Sequence, residues 1–133
     1  MIWGKTIADI YRCSGLHFGL GVFVGLFVWA MMFTPTFGSI LWVFWFGLLG
    51  GATNALVDVD HYLAFNGFRY TDGIFAGRPL HIPLLVIAGL TIIFCVVRWI
   101  KADYQISRFW ASMLVVCISI VSHVLEDGMV KLI

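Results

Sequence analysis

Val57-Asp58-Val59-Asp60-His61-Tyr62 closes an apolar run with two carboxylates and an imidazole inside four residues. The run before it, from Ser39 to Val57, carries no charged residue. An α-helix needs about 20 mainly apolar residues to cross the hydrocarbon core of a bilayer, so this stretch reads as a membrane helix that surfaces at Asp58. With only seven acidic residues and four histidines in the chain, the motif is a costly concentration of polar groups, and it marks one membrane face as the place to look for chemistry.

Working outward, the composition agrees. Of 133 residues, 62% are apolar and 11% charged, against about 45–50% and about 25% in an ordinary soluble domain. Lipid must solvate most of that apolar surface. The length suits a single domain, residues 1–133. A formal charge of +1 builds no large basic field, which argues against nucleic acid as a partner. Cys13, Cys95 and Cys117 are odd in number and lack CxxC spacing; the last two lie in apolar runs and read as small hydrophobes, not as a disulfide framework. The first residues mix Lys5, Asp9 and Arg12 with apolar side chains and lack the pattern of a cleaved signal peptide.

Four apolar spans are expected, at about 16–33, 39–57, 82–99 and 109–125. Residues 1–15 read either as a short amphipathic interfacial helix or as a frayed terminus. Gly21-x-x-x-Gly25 in the first span, and Gly47, Gly50 and Gly51 in the second, permit close backbone approach. Thr34-Pro35-Thr36-Phe37-Gly38 is a turn by composition. Trp42, Trp45 and Phe46 suit an aromatic belt, and Thr53 and Asn54 suit a helix end that faces protein. Residues 58–81 form a long polar connection. Pro83 falls in the first turn of the third span, where it is tolerated. Arg98, Lys101, Asp103 and Arg108 mark the next water-facing turn, and Ser112, Ser119 and Ser122 give the fourth span a mildly polar side. The expected fold is an all-α membrane protein of four transmembrane helices, with its N- and C-termini on the same side.

Spans that alternate in direction put the starts of odd spans and the ends of even spans on one face. His17, Asp58, Asp60, His61, His81 and His123 all fall there. Asp127 follows His123 by four residues and shares its helix face. Each residue alone has a bland reading: an edge histidine often makes a helix-end hydrogen bond, and acids often solvate a helix exit. Two acids at a helix C-terminus oppose its dipole, however, and a metal would offset that charge. Carboxylate oxygen with imidazole nitrogen suits Zn²⁺, and also Mn²⁺ or Fe²⁺. The candidate ligands are His17, Asp58, Asp60, His61, His81, His123 and Asp127, enough for one or two ions. Glu126 lies about 100° from Asp127 on a helix and is expected to meet solvent or headgroups. Arg78 reads as an interface anchor or an oxyanion partner.

These residues resemble the membrane-bound metal-dependent hydrolases, the LexA-regulated inner-membrane type among them. That family carries an early His, then P-D-x-D-H-P, then H-R-G-x-T-H-S, then S-H-x-x-x-D. The early His corresponds to His17, the D-x-D-H core to Asp58-Val59-Asp60-His61, and the last motif to Ser122-His123 through Asp127. Val57 and Tyr62 replace the flanking prolines. The middle motif, Ala76-Gly77-Arg78-Pro79-Leu80-His81-Ile82, keeps only its second His and a displaced Arg. The order agrees across nearly the whole chain. The resemblance implies a metal-dependent hydrolase of the inner membrane.

Two functions are expected to compete. In the first, the chain is a hydrolase acting on an ester or phosphoester of a lipid or other amphiphile at the membrane face, with Asp60 and His81 moving the proton. In the second, it is a non-catalytic membrane subunit whose ions are structural, joined to copies of itself or to other chains through Gly- and Trp-rich helix faces. A metal-independent lipid phosphatase is a weaker third. Arg78-Pro79 and His123-x-x-x-Asp127 echo parts of the phosphatidic-acid phosphatase signature, but its P-S-G-H element is absent. The excess of Lys and Arg on the site face predicts that this face is cytoplasmic in the cell's inner (plasma) membrane.

Overall fold

A computed structural model describes the backbone of residues 7–59 and 80–130, and the side chains of residues 14–59 and 80–127. The described residues are helical, without strands. They form α1 (Ile7–Met32), α2 (Phe37–Val57), α3 (His81–Lys101) and α4 (Arg108–Val130). All four are long and apolar enough to cross a membrane.

Except at the C-terminal ends of α1 and α2, the helices run past the expected spans, because hydropathy marks where lipid touches a helix and not where its hydrogen bonds end. Residues 7–15 are continuous with the rest of α1 and do not form a separate interfacial helix; no proline interrupts the run. At the other end, α4 passes through Glu126 and Asp127 to Val130. Phe37 and Gly38 belong to the first turn of α2. Thr36 caps that helix in a capping box: Thr36 Oγ1 accepts from the Ser39 amide at 3.2 Å, and the Thr36 amide donates to Ser39 Oγ at 2.8 Å. Trp29 Nε1–H donates to the Ser39 carbonyl at 3.0 Å, which ties the end of α1 to the start of α2.

Packing is tightest where α1 crosses α2. A Cβ added to Gly21 would lie 2.1 Å from the Gly50 carbonyl oxygen, and one added to Gly25 would lie 2.0 Å from that of Phe46. Only glycine allows this crossing, so the Gly21-x-x-x-Gly25 pattern has its expected use. α4 is the central element and touches each of the other three helices. Phe46, Cys95, Ala111, Leu114 and Val115 form the core with Val28. Cys95 and Cys117 are buried free thiols, as their apolar surroundings predicted.

Candidate metal centre

The four helices bring their polar ends together. His17 projects from the first half of α1, Asp58 caps the end of α2, His81 opens α3, and His123 and Asp127 stand one turn apart on α4. His17, Asp58, His81 and His123 are almost completely withdrawn from the surface, and Asp127 nearly so. These helix ends therefore share one end of the bundle. Asp60 and His61 lie outside the described residues, as does Arg78.

The geometry is compact. His123 Nε2 lies 3.4 Å from Asp58 Oδ1 and 3.6 Å from Asp127 Oδ2. His17 Nε2 lies 4.0 Å from Asp58 Oδ1 and 3.9 Å from Asp127 Oδ1. The two imidazole rings are 4.1 Å apart at their centroids. His81 meets the group through Asp127: its Nε2–H donates to Asp127 Oδ2 at 2.9 Å.

A chain of hydrogen bonds fixes the tautomer of His123. Ser122 Oγ–H donates to the Ser119 carbonyl at 2.9 Å, so its oxygen is left to accept, and it does so from Asn54 Nδ2–H at 3.3 Å. That assigns the Asn54 amide. Its Oδ1 is then the acceptor for His123 Nδ1–H at 2.9 Å. With Nδ1–H committed to Asn54, Nε2 of the neutral ring carries a lone pair that faces Asp58 and Asp127. No described group donates to it. A lone pair set among carboxylate oxygens in a buried site is repulsive until a cation enters.

A divalent ion fits this donor set. Bonds of about 2.0–2.1 Å to a tetrahedral zinc put neighbouring ligand atoms roughly 3.3 Å apart. The four nitrogen–oxygen separations above run from 3.4 to 4.0 Å, so small side-chain shifts would close them on one ion. His17, His123 and Asp127 form a group able to hold a metal ion, and Asp58 supplies a fourth side chain in reach. Three carboxylates gather here, with Glu126 included, at one end of a membrane bundle. Such charge is expensive in a bilayer without a counter-ion.

Two features depart from what the sequence led one to expect. Glu126 does not simply face solvent or headgroups: its Oε2 lies 3.1 Å from His17 Nδ1, with the side chain 37% exposed. α1 stands on the side of α4 from which Glu126 projects. Asn54 was legible only as a polar residue facing protein. Its part in holding His123 depends on partners 68 and 69 residues away. Comparison of the chain with protein-family models, curated proteins and solved structures finds no match.

Proposed function

We propose that this chain is an integral membrane metal-dependent hydrolase acting on an ester or phosphoester of a lipid or other amphiphile at the membrane face. The observation that carries the proposal is the His123 Nε2 lone pair, locked by Asn54 and aimed between Asp58 and Asp127. A buried His/Asp group suited to a metal ion, set among four helices long and apolar enough to cross a membrane, supports this reading.

His17, His123, Asp58 and Asp127 would hold the ion. When bound, a divalent cation would make water acidic enough to act as a nucleophile near neutral pH and would offset charge developing on the scissile group. Asp127 Oδ2 lies against both His81 Nε2 and His123 Nε2. His81 therefore holds a proton at Nε2, next to the ligand carboxylate, and is the described residue placed to pass it to a leaving oxygen. Asn54 holds the ring of His123 in one orientation and tautomer, as outer partners of metal-bound histidines generally do.

Burial favours a second reading. His17, His81 and His123 are almost fully enclosed by the described residues, as in structural sites, which are closed. On that reading the ion holds the helix ends together in a non-catalytic subunit. The two separate in one experiment. Purified protein, zinc-loaded or chelator-stripped, is assayed on fatty-acyl p-nitrophenyl esters and on the phosphodiester bis-p-nitrophenyl phosphate in mixed micelles. The hydrolase requires turnover that zinc restores and that His81→Gln removes while the ion stays bound. Zinc-loaded protein inert on both substrate classes would favour the structural role, and equal turnover by stripped protein would rule out metal-dependent hydrolysis.

A further inference from the structure

The opposite end of the bundle carries a second cluster that the metal centre does not use. Arg98 and Lys101 lie in the last turn of α3 and Arg108 is the first residue of α4. All three are exposed. The Arg98 guanidinium sits 5.1 Å from the Trp110 ring centre, and that of Arg108 sits 4.5 Å from Trp42. The chain between them turns sharply through Asp103 (φ 49°) and Tyr104 (φ 62°), two consecutive left-handed residues that are not glycine. Trp99 closes this turn, its Nε1–H donating to the Tyr104 carbonyl at 2.8 Å. A tight, strained turn thus holds the end of α3 and the start of α4 together, and three cations with them.

Their charge is balanced only in part, by Asp103 in the turn between them. The ion pairs among the described residues all lie in the histidine centre, and none involves Arg98, Lys101 or Arg108. Arg98 and Lys101 sit where the α3 dipole favours cations. Arg108 sits where the α4 dipole disfavours them, and no acid occupies that first turn. The cluster therefore has an excess of positive charge that the fold leaves for an outside anion. Its surroundings say where that anion resides. Ile100, Tyr104 and Phe109 are exposed large apolar side chains beside the cations, and aromatic side chains of this kind settle at the headgroup level of a bilayer.

From this placement we infer that Arg98, Lys101 and Arg108 form a docking surface for the phosphate of an anionic phospholipid. Indole faces hold the guanidinium planes by cation–π attraction, and their N–H forks stay available to phosphate oxygens. The inference is independent of the metal centre and of what that centre does.

Tryptophan emission can test it, since Trp42, Trp99 and Trp110 adjoin the cations. The full chain is reconstituted in phosphatidylcholine vesicles containing an equal minor fraction of either dibrominated phosphatidylglycerol or dibrominated phosphatidylcholine, whose bromines quench nearby indoles. The wild type should be quenched more strongly by the anionic lipid. That preference should weaken about fivefold for each cation removed, fade with added salt, and vanish in the triple variant Arg98→Gln, Lys101→Gln, Arg108→Gln. It should survive in Arg98→Lys with Arg108→Lys. Should the triple variant fail to fold by circular dichroism, Lys101→Gln alone, at an exposed position, should show the single fivefold step. Equal quenching of the wild type by both lipids, or an undiminished preference in the glutamine variants, would overturn the inference.

Discussion

Replacing Gly25 with alanine probes the crossing on which the bundle is built. The new Cβ would stand 2.0 Å from the Phe46 carbonyl oxygen and 2.5 Å from its carbon. Carbon and carbonyl oxygen in comfortable contact sit about 3.3–3.6 Å apart, so α1 and α2 must part by more than about 1 Å. Both obstacles are backbone atoms of a helix, so no side-chain rotation relieves the clash. Overpacking of this kind costs about 1–3 kcal/mol, and an obstacle made of backbone places Gly25→Ala at the top of that range. The controls are Gly15→Ala and Gly89→Ala, which meet nothing within 4 Å; there alanine should be neutral, or up to about 1 kcal/mol stabilising through helix propensity. Gly51→Ala should fall between, because the atoms it meets at 2.8–2.9 Å are movable side-chain atoms of Phe18 and Val22. Reversible unfolding of the detergent-solubilised protein, followed by circular dichroism, measures all four. If Gly25→Ala proves as stable as Gly89→Ala, the helices do not cross at this distance and the fold is misassigned.

Further outcomes follow from the centre. Asn54→Ala should weaken zinc binding about 10–100-fold, the usual cost of losing the outer partner of a ligating histidine, whereas Asn54→Asp keeps an acceptor for Nδ1–H and should bind close to wild type; isothermal titration distinguishes them. His81→Gln should retain zinc and lose turnover, as seen by pairing elemental analysis with the ester assay; loss of the metal instead would make His81 a ligand. Protons compete with the ion for imidazole nitrogen, so zinc affinity should fall as the pH is lowered. A competition titration with a zinc-sensitive dye from pH 5 to 8 would show it, and a flat profile would remove histidine from the ligand set.

Much of the fold could be read from the chain because apolar runs of membrane length leave few alternatives. The run from Ser39 to Val57 predicts α2 almost to its ends. The ends of α1 and α4 were harder. Polar side chains within Ile7–Gly15 and Glu126–Asp127 look like the approach of water, yet the backbone stays helical through both. For the site, alternation of the spans was enough to place His17, Asp58, His81 and His123 at one end. What the sequence could not supply is which groups touch. Glu126 approaches His17 because α1 stands on its side of α4, and Asn54 holds His123 because Ser122 already occupies the other half of its amide. Both facts depend on helix rotation, which hydropathy along one strand of sequence does not encode. The signal that could have found Asn54 is its cost: a buried amide inside an apolar span needs partners for all its polar atoms.

Elemental analysis by plasma mass spectrometry of the protein purified from zinc-supplemented cells, wild type beside His123→Ala and Asp127→Ala, goes most directly to the centre. The geometry requires one or two equivalents of a divalent transition metal in the wild type and loss of that metal in both variants while their helical content persists. A metal-free wild type, or variants that hold as much metal as their parent, would mean that these imidazoles and carboxylates meet for some purpose other than gripping an ion.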